Sequence, residues 1–180
     1  MKNIVLAVVC FLVAHTANAQ FSSARLEATG LTCALCTKAI NSSLEALPFV
    51  ESVDVDIVTT SFMIKFKDQQ KVVIDDVKKA VEDAGFSVGK LFMKRNFSDV
   101  AIKNDEHVNI DGQVFHFLKV KSQVLSGEQE IQVVDKNFLT SKSYQTFAKS
   151  SSKECVKTGK VAGCCEADNA VSNRVYHVTI

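Results

Sequence analysis

The sequence predicts an α+β protein. Residues 23–92 carry the element order βαββαβ, and a small β-rich unit follows over residues 100–180. Three observations point there. Apolar residues recur with period two in four stretches of the first half and at helical spacing in two others, alternating along the chain. Pro48 and Gly85 fall just beyond the two helical patterns, where helices end. From about Asn96 the helical periodicity stops, and apolar runs separated by turn residues take over.

In chain order, "ARLEAT" is a strand with Leu26 and Ala28 inward. After Cys33, the residues Cys36, Ile40, Leu44 and Leu47 share one helical face. "VESVDVDIV" presents Val53, Val55 and Ile57 to one side, and "FMIKF" does the same with Phe62, Ile64 and Phe66. A second helix places Ile74, Val77, Val81 and Ala84 on one face. Asp75 and Asp76 fall in its first turn, where the helix dipole favours negative charge. "FSVGKLF" is the last strand of this half, and two helices covering one face of a small antiparallel sheet is the expected arrangement.

In the second half, Asp111-Gly112 between apolar runs signals a tight hairpin. "SGEQEIQVVD" supplies another turn and strand, and "SKSYQTFAKSS" a short helix with Tyr144 and Phe147 inward. "VYHVTI" closes the chain as a strand. Element order alone suggests a partly open barrel of the oligonucleotide/oligosaccharide-binding (OB) shape, joined to the first half near residues 94–100.

The first twenty residues run from Lys2 through an apolar stretch, Ile4 to Val13, to the small-residue site Ala17–Ala19. That is the layout of a secretory signal peptide over residues 1–19, cleaved after Ala19. The apolar run is shorter than the about 20 residues a bilayer span needs. Val9 before Cys10 fits lipoprotein processing poorly. The expectation is an exported, periplasmic protein that does not span the membrane once the signal is removed. Formal charge is balanced, 21 basic residues against 20 acidic, so neither a nucleic-acid-binding face nor a polybasic membrane patch is expected.

An exported chain meets an oxidising compartment. Of six cysteines Cys10 leaves with the signal, and the remaining five, Cys33, Cys36, Cys155, Cys164 and Cys165, cannot all pair within one chain. In "GLTCALC" two of them stand at i and i+3 across the start of a helix, where backbone N–H groups and the dipole favour an anionic sulfur. Both sulfurs face one point, which suits a passive disulfide, a redox pair or a soft-metal site. A disulfide closing so short a loop stabilises little. The sole proline, Pro48, follows the helix rather than lying against the cysteines, and Thr32 precedes the pair where redox motifs commonly carry an aromatic residue.

"GLTCALC", the helix after it, "LPFVESVDVDI", "FMIKF" and "VKKAVEDAGFSV" together resemble the heavy-metal-associated (HMA) domain family over nearly all of residues 23–92. That family covers copper chaperones, metal-binding modules of P-type ATPases and the periplasmic mercury-binding protein. The resemblance implies a ferredoxin-like βαββαβ sandwich with Cys33 and Cys36 as metal ligands, and Leu31 and Phe86 supporting the loop. Leu31 departs from the family's methionine, a near-isosteric apolar exchange. Phe86 also fits the description of an ordinary core residue.

Thiolates select soft ions. Zn(II) wants four ligands, whereas two thiolates suit an ion content with near-linear coordination. Cu(I) is therefore expected first and Hg(II) second, with Ag(I) as a mimic and Zn(II) also among the candidate ions. An open two-sulfur site lets a third thiolate enter, so metal passes to a thiol protein or a membrane metal transporter by ligand exchange. No nucleophile–base pair or carboxylate dyad stands out, and no enzyme is expected. The rivals are Hg(II) scavenging and an exported thiol–disulfide oxidoreductase.

Cys155, Cys164, Cys165 and His177 form a second cluster, suited equally to a disulfide with one thiol left over or to another soft-metal site. His107 and His116 read as isolated and carry no assignment. The HMA resemblance does not reach this half.

Overall fold

The computed structural model describes residues 20–31, 33–56, 58–161 and 173–180. The expected signal segment, with Cys10, and Thr32, Ile57, Cys164 and Cys165 lie outside the described residues.

The first half follows the expected order. β1 (Phe21–Thr29), α1 (Ala34–Glu45), β2 (Val50–Asp56), β3 (Ser61–Phe66), α2 (Ile74–Asp83) and β4 (Ser87–Ile102) succeed one another. Four of the strands lie side by side in the order β2-β3-β1-β4, all antiparallel. Ile40 and Leu44 of α1 and Ile74, Val77 and Val81 of α2 are buried in one cluster with Leu26, Phe62, Ile64 and Leu91 of the sheet. The 3.6-residue and two-residue apolar periods thus bring helix and strand faces together, which removes both from water.

Two glycines are required by the backbone. Gly30, at φ +85°, turns the chain from β1 toward α1 in a conformation that side chains resist. Gly89 sits at a bulge, because β1 skips from Glu27↔Lys90 to Ala28↔Val88. A Cβ there lies 2.9 Å from Thr29 Cγ2 and 3.1 Å from the Glu27 carbonyl oxygen.

The second half departs from the expected OB-like barrel. Its elements are β5 (Glu106–Ile110), β6 (Gln113–Phe117), β7 (Gln123–Val133), α3 (Ser141–Ala148), α4 (Cys155–Thr158) and β8 (Val175–Thr179). They do not close on themselves but continue the same sheet, giving eight strands in the order β2-β3-β1-β4-β7-β8-β6-β5. The stretch 94–100, expected as a junction, lies inside the 16-residue strand β4, which pairs with β1 on one side and β7 on the other. Arg95 conceals this in the sequence. It is 5% exposed in line with Leu91, Met93 and Phe97, its guanidinium over the rings of Phe21 and Phe97 and bonded to Asp111 at 2.8 Å. A charge at a core position interrupts the apolar alternation that marks a strand.

The Asp111-Gly112 hairpin forms as expected, with Ile110 opposite Gln113 and both turn residues at positive φ. α3 forms too, and Tyr144 and Phe147 pack on Leu118, Val134 and Leu139. β8 joins β6 in parallel and β7 antiparallel. Phe115, Phe117, Tyr176 and Val178 join the large core. Their alternates Val114 and Val175 face the other way and pack with Cys155 and Val156 of α4. Among the described residues, no helix is long and apolar enough to cross a membrane.

Candidate metal centre

The loop after Gly30 brings Cys33 to the N-cap position of α1 in extended backbone (φ −156°, ψ 162°) and Cys36 to its first turn. The Cys33 carbonyl accepts from the N–H of Cys36 at 3.1 Å and of Thr37 at 3.3 Å, which begins the helix. Cys33 is exposed and Cys36 half-buried, and their Sγ atoms stand 2.8 Å apart. Leu31 and Phe86 are half-buried and pack on the core beneath. Phe86 Cδ1 lies 3.9 Å from where Gly30 would carry a Cβ, so its ring backs the loop.

Beside the cysteines runs an open groove of about 600 Å³, lined by Leu31, Cys33, Thr37, Val53, Val55 and Thr60 among others. No acidic residue occupies the first turn of α1. The local donor set is therefore two sulfurs at an exposed helix start beside a mainly apolar groove.

The second cluster falls only in part within the described residues. Cys155 is buried on α4, and Cys164 and Cys165 lie outside the described residues. Among the described residues, Cys155 meets the two unassigned histidines. Its Sγ lies 3.3 Å from His107 Nε2 and 3.8 Å from His116 Nδ1. Among the described residues, His107, His116 and Cys155 form a group of metal-capable side chains whose donor atoms all lie within 4.8 Å of one another.

Strand register brings the histidines together. His107 pairs with His116 across the β5–β6 hairpin, and His116 with His177 across β6–β8. The first two rings stack at 4.2 Å between centroids, and His116 meets His177 edge-on at 5.1 Å. The sequence did carry this signal. In a two-residue hairpin centred on Asp111-Gly112, residues whose numbers lie symmetrically about the turn face each other, and 107 and 116 do.

The orientation of two of these rings follows from their carboxylate partners. Asp105 Oδ1 accepts from His116 Nε2 at 2.8 Å, which turns the lone pair of Nδ1 toward Cys155. Asp135 Oδ1 likewise accepts from His177 Nδ1. His177 Nε2 is buried with no hydrogen-bond partner among the described residues. Burial first, then neighbouring positive charge, lowers both His107 and His116 to a pKa of about 4, so both rings are neutral near pH 7. Burial alone would raise the Asp105 carboxyl. Hydrogen bonds from Ser151 and His116 and the charge of Lys153 outweigh it and hold it below the usual carboxylate range.

The family described as "Heavy-metal-associated domain" matches residues 25–87. The copper chaperone CopZ of Bacillus subtilis is 34% identical over 65 residues, which cover 36% of this chain and 93% of the chaperone. A probable copper-exporting P-type ATPase of Archaeoglobus fulgidus is 28% identical over 96 residues, 53% of this chain but only 10% of the ATPase. Likewise, the match to the copper-transporting ATPase of Saccharomyces cerevisiae spans 6% of that protein. The solved yeast copper transporter domain, in apo and Cu(I)-loaded states, aligns with a TM-score of 0.33 at 34% identity, covering 36% of this chain and 88% of that one.

Proposed function

Through residues 25–87 the chain belongs to the heavy-metal-associated domain family, and from that premise we propose that it binds Cu(I) through Cys33 and Cys36 and passes it on to a partner thiol. The observation that carries this reading is the pair of sulfurs at the exposed start of α1, backed by Leu31 and Phe86. Two soft donors at a solvent-facing site suit a monovalent soft ion and leave room for an incoming thiolate.

With metal–sulfur bonds of about 2.3 Å, a linear site holds its sulfurs about 4.6 Å apart. From the present 2.8 Å, the pair opens by roughly 2 Å to take the ion. Cys33 is exposed at the helix cap, so rotation of its side chain provides that opening without moving the core. The apolar groove alongside suits the surface of a donor or acceptor, whether a thiol protein or the soluble module of a membrane metal transporter. Catalysis is no part of this reading.

The place of action in this proposal is outside the cytoplasm. The motive is the N-terminal layout, Lys2, the apolar run and Ala17–Ala19, and cleavage there leaves Gln20 directly ahead of β1. Mass spectrometry of the mature chain tests it: a product beginning at Gln20 supports export, and an intact Met1 terminus counts against it.

Cu(I) titration of the reduced chain against a colorimetric chelator, beside C33S/C36S, tests the metal reading. The wild type should hold one ion more than the variant. Hg(II) run in parallel asks whether the same pair prefers the heavier ion. The 2.8 Å sulfur separation also suits a reversible disulfide, and that rival predicts protein-disulfide turnover that C33S abolishes. Equal copper binding by the two chains, with turnover present, would replace the metal reading by the redox one.

A further inference from the structure

We propose that His107, His116 and Cys155 form a second metal site, toward the β5 edge of the sheet and under α4, that takes one Cu(I) ion. Bonds of about 2.0 Å to nitrogen and 2.3 Å to sulfur put the donors of a trigonal N₂S site about 3.5–3.7 Å apart. The sulfur–nitrogen separations in the chain are 3.3 Å and 3.8 Å, and all three donors lie within 4.8 Å. The cluster already has nearly the size an ion requires, with each donor on a different element: β5, β6 and α4.

A second, independent feature supports a ligand here. Asp105 fixes the His116 ring so that Nδ1 faces the sulfur, the carboxylate–imidazole arrangement by which metal-binding histidines are oriented. One strand further along, His177 is 1% exposed, and its Nε2 is buried with no hydrogen-bond partner among the described residues. Burying a polar atom without a partner costs free energy, and a row of imidazoles with two carboxylate-oriented members is costly as plain core.

Charge selects the ion. One thiolate and two neutral imidazoles make a neutral site with a monovalent ion and a positive one with a divalent ion. Asp105 does not change this, because Lys153 Nζ lies 3.9 Å from its carboxylate. Uncompensated charge in a buried site is expensive. Three donors also complete the shell of Cu(I), whereas Zn(II) needs a fourth. The site is distinct from the Cys33–Cys36 loop in position and donor set, and does not depend on what that loop binds.

The test uses the full mature chain carrying C33S/C36S and C164S/C165S, so that Cys155 is its one remaining thiol. Cu(I) titration against a colorimetric chelator should leave one ion bound, and X-ray absorption should give a shell of one sulfur and two imidazole nitrogens. Adding H107N, which changes a half-buried ring, should weaken that binding at least tenfold. Adding C155S should remove the sulfur from the shell, and circular dichroism establishes that each variant is folded. Absence of a retained ion in the folded chain overturns the site. So does a shell lacking sulfur or imidazole, or affinity unchanged by H107N. Retention of Zn(II) in preference to Cu(I) overturns the choice of ion. Because Cys33 and Cys36 are absent throughout, failure here leaves the loop untouched, and failure of the loop leaves this result standing.

Discussion

Arg174 clasps Asp75 with two hydrogen bonds, Nε to Oδ2 at 2.8 Å and Nη2 to Oδ1 at 3.1 Å. Nη2 also reaches Asp135 at 2.9 Å, and Tyr176 donates to Asp75 at 3.2 Å. One guanidinium leading into the final strand thus joins the first turn of α2 to the residue that orients His177. Burial would raise the Asp75 carboxyl, but Arg174 outweighs it and holds it below its ordinary range.

Arg174→Ala should therefore lower stability by about 1–3 kcal/mol, since it leaves carboxylates short of a partner. The half-exposed Asp75 keeps the loss toward the low end. Arg174→Lys should recover only part of it, because an ammonium lacks the fork that bridges both acids. Urea melts of the three chains check the order; equal midpoints for all three would remove this link from the fold.

Gly89→Ala should cost about 1–3 kcal/mol, because the new methyl meets the Glu27 carbonyl as well as Thr29 and the bulge has no space to give. Thermal unfolding reads it. Gly89→Ala in a Thr29→Ser background should recover little, since the backbone contact at 3.1 Å remains.

Leu31→Met should change stability by less than about 1.5 kcal/mol and leave Cu(I) affinity of the loop within a few-fold, as an apolar exchange of similar volume. Leu31→Asp, by contrast, places a charge where a half-buried side chain packs on the core beneath the cysteines. It should destabilise the loop, measured as faster amide exchange at residues 30–37.

The metal-free chain should lose stability as pH falls. His107 and His116 have pKa values of about 4 when folded, against about 6.5 unfolded. Between those values the unfolded chain binds protons that the folded chain refuses, so stability drops from about pH 6.5 down to about pH 4. These two groups contribute no slope above about pH 7.5. The loss reaches on the order of a few kcal/mol at pH 4. Denaturant midpoints across that range, with and without H107N, should show a shallower slope in the variant.

The six elements that begin within residues 21–92 were legible, β4 only as far as Phe92, because each is a local pattern. Ile40 and Leu44, Ile74 and Val77, Phe62 and Ile64 announce a period and a buried face within a few residues. The Cys33–Cys36 pair was legible for the same reason, since a three-residue spacing at a helix start needs no tertiary information. The His107–His116 contact was implicit in the turn between them, although both residues read as isolated in the sequence.

Cys155 belongs to another kind of information. It lies 39 residues from His116 and 48 from His107 in the chain, and no period or turn links them. The parallel pairing of β6 with β8 and the continuation of β4 past Arg95 are equally non-local. By itself, the sequence determined the elements of residues 21–92, the Asp111-Gly112 hairpin, α3 and the final strand, because those follow from short-range periodicity and turn chemistry. Only the tertiary structure decided that the second half extends the first half's sheet rather than closing its own. That outcome rests on β4, whose far edge needed hydrogen-bond partners and found them in β7, and it is what carried a sulfur and two imidazoles to one buried point.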